Sequence, residues 1–425
     1  MDQQFQQQKV DLTTDFLRNV KKKATLLVYL GNKRTTCHLF KYQLTSSGTV
    51  INIQPPIPVS VNSSLLSYKF QDSKGKYEML RKAVEAVANV YPEVNKRSEV
   101  IPTSKLNHIR VLFFASGKFK SLSSYEMTVM TCLVKNFFLM EGFDLERDDE
   151  IIILQNSLKL QLSWITYMYA LGRGNKTNRT NVAAAYLTKS SGAVGFIPSN
   201  MKSIPESELS LAGYYLNIAQ LGLQDMRRKA LQPSKTNPNV LLTPCFPHDK
   251  KFKWTYRTIQ YVVKGRKSKC NYKNDFSGRI NYEECKESVR AVVSTIPRPP
   301  SINNYDISAF LYYYDFIQQA GLVQTDNCGK VTLEEIEKKA KQICGCGGDE
   351  ENPFLCIDLT YTMLLFHTTY GLSKTTPLQF QKAINGYELN WRMGAIVAYA
   401  RLNGNSGALK NVDTQKWNDT NIINT

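Results

Sequence analysis

The chain has 425 residues, 42% of them hydrophobic, which excludes a disordered protein and allows two domains with a large core. No apolar run approaches the ~20 residues that a membrane-spanning helix needs, so no transmembrane segment is expected. The 54 Lys and Arg residues outnumber the 36 Asp and Glu residues, and the formal net charge of +18 favours anionic partners. No RNA-binding signature or zinc-finger spacing accompanies this charge, so nucleic acid is not an expected partner.

The chain begins with a polar segment that is rich in glutamine. It lacks the apolar centre of a secretory signal, so no signal peptide is visible, and we predict that residues 1–23 form an arm before the folded part. A strand-like pattern starts at Ala24. The segments 24–31 and 36–44 predict a hairpin around the loop at 31–34.

Strands and helices then alternate through the first half. The elements predicted there are, in order, a helix over 76–91, a buried strand over 109–115 that leads into Ser116 and Gly117, a helix over 124–140, a strand over 151–154 and a helix that ends near Leu171. A chain with this alternation is typical of a layered α/β fold.

A second hairpin is predicted in the second half, from a strand over 182–187 and a strand over 193–197. The elements predicted after it are helices over 210–230 and 307–320, a loop-rich segment over 231–300, helices over 332–344, 354–370 and 376–384, and a segment over 391–401 that closes the fold. Thr332 and Glu335 have the spacing of a capping box at one helix start. A hairpin near the start of each half predicts a duplicated, two-lobed architecture with a cleft between the lobes.

Seven of the nine cysteines fall within residues 245–356, and such crowding indicates disulfides in an oxidising compartment. A metal site is the alternative, but Cys344 and Cys346 have one intervening residue where structural zinc sites usually have two to four. Asn-x-Ser/Thr triplets also point to a secreted, extracellular or secretory-lumenal protein. The predicted glycosylation sites are Asn62, Asn175, Asn178 and Asn418.

Several segments, in order along residues 24–400, resemble the apyrases, the nucleoside triphosphate diphosphohydrolases of the actin-like superfamily. They include Ser-Trp-Ile-Thr at 163–166, Pro-Cys-Phe-Pro at 244–247 and Trp-Arg-Met-Gly-Ala at 391–395. The resemblance implies an α/β, RNase H-like fold of two lobes, each a mixed sheet flanked by helices. The predicted domains are an arm over 1–23, lobe I over 24–165, lobe II with a disulfide-rich insertion over 166–390, and a return to lobe I with a C-terminal tail over 391–425.

The resemblance also implies how the cysteines pair. It predicts disulfides between Cys245 and Cys285 and between Cys344 and Cys356. Cys270 keeps a cysteine position of the family, and Cys328 is its best available partner. Cys346 is then left over.

The chemistry of the apyrases, as the resemblance implies it, uses two Asp-x-Gly loops that organise phosphate and a divalent cation, and a glutamate as general base. In this chain Tyr29 and Tyr186 stand at the two aspartate positions. The third motif, over 155–160, carries no carboxylate, and Ser157 and Lys159 stand at the former catalytic positions. We therefore predict that the chain is not an enzyme and has no metal or cofactor, and that the two tyrosines fill the cleft.

A phosphate-binding remnant is nevertheless predicted. Its residues are Gly31, Lys33, Arg34, Ser116, Gly117, Lys189, Ser190 and Ser191. The leading functional prediction is a non-catalytic secreted structural or interaction protein that assembles with other copies or binds an acidic partner. The alternatives are a regulatory pseudoenzyme that binds a nucleotide or another anion, and a divergent active nucleotidase.

Overall fold

The computed structural model describes residues 21–31, 34–45, 50–54, 56–60, 78, 80–82, 85, 106–145, 150–172, 181–197, 214–219, 222–247, 250–266, 281–324, 328–345 and 351–402. The chain divides into two compact units. Unit 1 runs to Tyr169 and resumes at Asn390, and unit 2 spans Ala170–Leu389. The predicted residues that lie outside the described ranges are Lys33, Cys270, Cys346 and the four glycosylation asparagines.

The strands follow one another along both units. They are β1 (Lys21–Leu30), β2 (Thr35–Leu44), β3 (Val50–Ile53), β4 (Ile57–Ser60), β5 (Ile109–Ala115), β6 (Ile152–Ile153), β7 (Val182–Leu187), β8 (Ser191–Phe196), β9 (Tyr214–Ala219), β10 (Gln232–Pro233), β11 (Val240–Thr243), β12 (Lys251–Tyr256), β13 (Ile259–Gly265), β14 (Asp306–Leu311), β15 (Gly329–Thr332), β16 (Pro377–Phe380), β17 (Ala383–Ile384) and β18 (Tyr387–Glu388).

The helices lie between these strands. They are α1 (Ser124–Met140), α2 (Asn156–Gly172), α3 (Leu223–Ala230), α4 (Tyr282–Val293), α5 (Tyr312–Gln319), α6 (Leu333–Gly345), α7 (Leu355–Leu364) and α8 (Trp391–Arg401). Residues 365–369 extend α7 as a π-helical turn. Of the helix predicted over 76–91, the described residues 78, 80–82 and 85 are helical.

The sheet of unit 1 has the strand order β3–β2–β1–β5–β6, with β4 beside β2. β1 runs antiparallel to β2 and parallel to β5. One face of the sheet, with Leu26, Val28 and Phe113, shares a buried core with Phe138 of α1. The other face carries Tyr29 and lies on the side of α8.

The main sheet of unit 2 repeats this arrangement. Its order is β15–β16–β14–β7–β8–β9. β7 runs antiparallel to β8 and parallel to β14, as β1 does to β2 and β5. The predicted α/β fold class, with a mixed sheet flanked by helices in each of two lobes, is confirmed.

The core of unit 2 holds two disulfides, which join Cys245 to Cys285 and Cys344 to Cys356, the pairs that the resemblance implies. The Sγ atoms of Cys285 and Cys356 lie 3.7 Å apart, so the two bridges are neighbours in a buried cluster. Cys328 does not form the predicted bond with Cys270. Its thiol is free and exposed immediately before the edge strand β15.

Four secondary-structure predictions in unit 2 are wrong. The structure has β9 and α3 in place of a helix over 210–230, β14 and α5 in place of a helix over 307–320, β16 and β17 in place of a helix over 376–384, and four strands with α4 in place of most of the loop over 231–300. Short apolar runs fit a buried strand as well as a helix, and pairing partners elsewhere in the chain decide between them.

The capping box predicted for α6 is present. The Thr332 N–H donates to Glu335 Oε2 at 2.7 Å, and the Glu335 N–H donates to Thr332 Oγ1 at 3.2 Å. None of the helices in the described part of the chain is both long and apolar enough to cross a bilayer.

Candidate functional site

The turn between β1 and β2 requires a glycine at its first position. A Cβ atom on Gly31 would lie 2.5 Å from the carbonyl oxygen of Arg34 and 3.1 Å from a ring carbon of Tyr29. The Ser116 N–H donates to the Leu30 carbonyl at 3.0 Å, which fixes the end of β5 beside this turn. The structure thus brings together the first two predicted motifs at the carboxyl ends of two parallel strands, where phosphate sites are common in α/β sheets.

Tyr29 is an aromatic packing residue. Its ring meets the indole of Trp391 edge-on, with centroids 5.4 Å apart. Phe114, the β5 neighbour of Tyr29, meets the same indole at 5.1 Å. The first residue of α8 is therefore held against the sheet face at the point where the resemblance implies an aspartate.

A close contact between α2 and α8 explains two of the motifs. The Gly394 N–H donates to Thr166 Oγ1 at 2.8 Å, and the Thr166 hydroxyl donates to the Asn390 carbonyl at 2.5 Å. A Cβ atom on Gly394 would lie 1.8 Å from the Leu162 carbonyl oxygen, so only glycine permits this approach. The Trp-Ile-Thr and Trp-Arg-Met-Gly segments are thus the two sides of one helix junction, and Arg392 lies in the first turn of α8 at this junction.

Arg392 is the electrostatic centre of this region. Burial, and secondly the charge of Arg392, lower the pKa of the Lys159 amine. Burial, Arg392 and Arg34 together lower the pKa of His38 to about 4. Burial raises the pKa of Tyr29, and Arg392 partly opposes that rise. No carboxylate is among the groups that shift these three pKa values.

Two polar groups on the same sheet face have no hydrogen-bond partner within the described part of the chain. They are Thr36 Oγ1 and His38 Nδ1, both buried. Thr36 pairs with Tyr29, and His38 with Leu27, across β1 and β2. Directly opposed residues of antiparallel strands point to the same side, so these groups share the face of Tyr29.

We call the set Tyr29, Thr36, His38, Lys159 and Arg392, with Arg34 at the adjoining turn, the cationic face of unit 1. Sequence reasoning named Tyr29, Arg34 and Lys159 but missed the other members. Counting alternate positions along the hairpin from Tyr29 would have put His38 on the same face. No sequence signal placed Arg392 there, because its position depends on the junction between α2 and α8.

The predicted anion loop of unit 2 is internally satisfied. The Thr188 N–H donates to the Ser191 carbonyl at 2.8 Å, and the Ser191 N–H donates to Thr188 Oγ1 at 3.1 Å. The carbonyls of Thr188 and Lys189 accept from the first N–H groups of α3, at Leu223 and Gln224. These contacts use the N–H groups of Thr188 and Ser191 and the first two N–H groups of α3, which are then not available to a phosphate, and they hold α3 to the turn between β7 and β8.

Other residues of unit 2 have packing roles as well. Tyr186 is fully buried, and its ring contacts Phe310 of the neighbouring β14 edge-on at 4.5 Å. Lys189 and Ser190 are exposed, and Ser191 is buried. In unit 1, Gly117 is exposed, and a Cβ atom at this position would meet no other atom within 4 Å. Ser157 is half-buried near the start of α2.

The divalent cation that the resemblance implies does not fit these residues. A hard cation prefers carboxylate oxygens, whereas the implied positions hold the phenols of Tyr29 and Tyr186 and the amine of Lys159. Among the residues that the structure describes, no group of three or more His, Cys, Asp and Glu side chains could hold a metal. The positive charge of the cationic face comes from the side chains of Arg34, Lys159 and Arg392, not from a bound cation.

Comparison with known proteins gives a consistent family. Residues 19–412 match the GDA1/CD39 (nucleoside phosphatase) family. The chain is similar to ectonucleoside triphosphate diphosphohydrolase 5 of Gallus gallus, at 24% identity over 86% of this chain and 84% of that protein. It is equally similar to the human nucleoside diphosphate phosphatase ENTPD5, at 24% identity over the same shares of the two chains.

The fold likeness extends to solved structures. The nucleoside triphosphate hydrolase from Neospora caninum superposes with a TM-score of 0.56 at 12% identity, over 97% of this chain and 99% of that one. At this identity the likeness concerns the fold alone.

The prediction that the chain is not an enzyme is wrong, because the family matched over 19–412 is one of nucleoside phosphatases and the relatives are named as hydrolases. That prediction took the missing aspartates and the missing carboxylate of the third motif as proof that catalysis is lost. The predicted non-catalytic structural role is not supported either, because the matched family consists of nucleoside phosphatases. The chain belongs to the GDA1/CD39 (nucleoside phosphatase) family.

Proposed function

We propose that the chain is a divergent nucleoside phosphatase that hydrolyses the terminal phosphoanhydride bond of nucleoside di- or triphosphates on the cationic face of unit 1. The observation that carries the proposal is the electrostatic coupling of Arg392 to His38 and Lys159, and of Arg34 to His38, beside a glycine turn in a chain of this family. Phosphoryl transfer depends mainly on positioning and on stabilising charge at the phosphate oxygens.

The proposed reaction is a displacement at the terminal phosphorus. The oxygen of a water molecule attacks, the bond from phosphorus to the bridging oxygen breaks, and orthophosphate leaves together with a nucleotide that is one phosphate shorter. Lys159 and Arg392 stabilise the charge on the transferred group. His38 Nδ1 accepts the proton of the attacking water, since the imidazole is neutral near pH 7 and this atom has no other partner in the described part of the chain.

The proposed substrates are nucleoside diphosphates first, and nucleoside triphosphates second. The human relative is named as a nucleoside diphosphate phosphatase, and the chicken relative as a triphosphate diphosphohydrolase. A terminal phosphate is common to both substrate types, and the cationic face offers contacts to phosphate alone.

We also propose that the chain works in an oxidising compartment such as the lumen of the secretory pathway. Both disulfides of unit 2 lie in its buried core. Disulfides of this kind form and persist where thiols are oxidised.

The test is the release of inorganic phosphate from ADP, GDP, UDP and ATP by the purified full chain. We expect turnover above background for at least one diphosphate, and a loss of about 100-fold or more in Arg392→Gln, because a charge-stabilising group at the phosphate is removed. Lys82→Gln, at an exposed lysine of unit 1, is the matched control and keeps the wild-type rate. Background rates on all four nucleotides would overturn the proposal.

A further inference from the structure

We infer that the cationic face binds the terminal phosphate of a metal-free nucleotide, with the side chains of Lys159 and Arg392 in the place of a divalent cation. The inference rests on the proposed function, because it concerns the same site. It specifies the form of the ligand: the phosphate end of a nucleotide without bound Mg²⁺ or Ca²⁺.

The charge at the third motif is the first reason. The resemblance implies a carboxylate in this motif, and the chain has Lys159 there. The change reverses the sign of the charge instead of merely removing it. A site with a lysine in place of a carboxylate attracts the phosphate of the substrate directly and no longer attracts a cation.

The mutual effect of the two cations is the second reason. Lys159 is half-buried on α2, about one turn before Leu162, whose carbonyl oxygen lies against Gly394 of α8. Burial, and secondly the charge of Arg392, lower the pKa of the Lys159 amine. Two like charges at low exposure destabilise each other. A phosphate oxygen bound near both groups would accept charge-assisted hydrogen bonds from each of them and offset this repulsion.

The way Arg392 is held is the third reason. Its guanidinium carbon lies 5.5 Å from the centroid of the Trp391 ring, and the Arg392 backbone N–H donates to Asn390 Oδ1 at 2.9 Å at the start of α8. The same turn is fixed by the bond between Gly394 and Thr166. A guanidinium that is positioned before the ligand arrives loses little entropy on binding.

The buried hydroxyl of Thr36 is the fourth reason. Thr36 is 8% exposed, and its Oγ1 has no partner among the described residues. A buried hydroxyl without a partner is unfavourable by about 1–3 kcal/mol, and a phosphate oxygen would accept its hydrogen bond. This group serves an anion directly, whereas a divalent cation would need the carboxylates that this face lacks.

The experiment is calorimetric titration of the full chain with ADP, and separately with inorganic phosphate, in buffer that contains EDTA. The titration is repeated with excess Mg²⁺ and with excess Ca²⁺. We expect ADP to bind in EDTA, with no tightening when either metal is added. Lys159→Gln and Arg392→Gln are each expected to weaken that binding about tenfold or more, and Lys82→Gln to leave it unchanged.

Lys159 is half-buried, so a second variant guards against misfolding. Lys159→Met keeps most of the length of the side chain and removes its charge, and circular dichroism checks that each variant is folded. We expect Lys159→Met to bind as weakly as Lys159→Gln. ADP binding that is as tight in both folded variants as in the wild type would overturn the inference.

The outcomes separate this inference from the proposed function. Hydrolysis that is abolished by EDTA and restored by Mg²⁺ or Ca²⁺ would uphold the proposed function and overturn the inference. ADP binding in EDTA that depends on Lys159 and Arg392, without phosphate release under any condition, would uphold the inference and overturn the proposed function. Hydrolysis that continues in EDTA supports both.

Discussion

The ring of Tyr29 lies edge-on against the indole of Trp391, with centroids 5.4 Å apart, and this contact ties the end of β1 to the first turn of α8. The residue after Trp391 is Arg392, whose charge reaches Tyr29, His38 and Lys159. In the proposed site, Tyr29 is therefore a positioning residue: it packs on Trp391, the neighbour of Arg392, where the resemblance implies an aspartate.

Tyr29→Ala is expected to destabilise unit 1 by about 2 kcal/mol, because it removes a half-buried ring that packs on Trp391. Tyr29→Phe keeps the ring and is expected to stay within about 1 kcal/mol of the wild type. Chemical denaturation followed by tryptophan fluorescence measures both. Equal losses in the two variants would contradict the packing role, since they would trace the effect to the hydroxyl.

Gly394→Ala is expected to destabilise unit 1 strongly, by about 3 kcal/mol or more, because the new Cβ would lie 1.8 Å from the Leu162 carbonyl oxygen. The helix junction has to open to admit the methyl group. Gly117→Ala is the matched control, since no atom lies within 4 Å of its Cβ position. Thermal unfolding of both variants is the measurement. A wild-type melting temperature for Gly394→Ala would contradict the close packing of α8 against α2.

Much of the fold could be predicted from local sequence. The two hairpins, with β1 and β7 as their first strands, follow from alternating patterns around polar turns, and the start of α6 follows from its capping box. β14 and β16 could not be recognised in the same way. β14 is a central parallel strand with residues 307–310 buried, and α5 follows it without a break, so the two elements read as one helical segment.

The candidate site divides along a similar line. Gly31 could be assigned to a tight turn from sequence alone, and the structure gives it that place. Lys189 and Ser190 fit the same pattern in the second hairpin, but the loop there uses its backbone groups for its own hydrogen bonds and for those to α3. Arg392 joins the site through tertiary packing between helices that are far apart in sequence, which no local pattern encodes.

Glu337→Gln is expected to destabilise unit 2 at pH 7. Burial alone would raise the pKa of Glu337, but hydrogen bonds from Lys286 and Lys374, each 2.6 Å long, lower it from 4.5 to about 2. The folded state thus favours the ionised carboxylate, and the stabilisation is present above pH 4.5 and is lost as the pH falls towards 2. The expected loss in the variant is about 1–2 kcal/mol at pH 7, because Lys374 is partly exposed and solvent screens its ion pair.

Urea denaturation at several values of pH between about 7 and 3 measures this difference. The gap between the wild type and Glu337→Gln should narrow as the pH falls. Glu334→Gln, at an exposed carboxylate of the same helix, is the control and should change stability by less than about 0.5 kcal/mol. A gap that stays constant with pH would rule out the ion-pair explanation.

Removal of the Cys344–Cys356 bridge by replacing both residues with alanine is expected to destabilise unit 2 by about 3 kcal/mol, because the bridge closes a short loop in the unfolded chain. The bridge between Cys245 and Cys285 closes a longer loop, so its loss is expected to be larger, at about 4 kcal/mol. Cys132→Ser, at an exposed free thiol of unit 1, is the control. Unfolding curves under non-reducing conditions compare the three, and equal stability of all variants would contradict the expectation.

His38 should take up a proton when phosphate binds. In the free protein burial, Arg392 and Arg34 lower its pKa to about 4, so the imidazole is neutral at about pH 6. A bound phosphate adds negative charge beside those two arginines and raises the pKa of His38 again. Binding is then linked to proton uptake at His38.

Calorimetry at about pH 5.5 in two buffers of different ionisation enthalpy measures this uptake, and a chemical-shift titration of the His38 ring assigns it. His38→Gln keeps a polar side chain without a titrating group, so it should bind phosphate with no uptake at this position. His108, for which no role on the cationic face is proposed, supplies the matched control His108→Gln, which should retain the wild-type uptake. Uptake that persists undiminished in His38→Gln would place the proton on another group and contradict the expected rise in the pKa of His38.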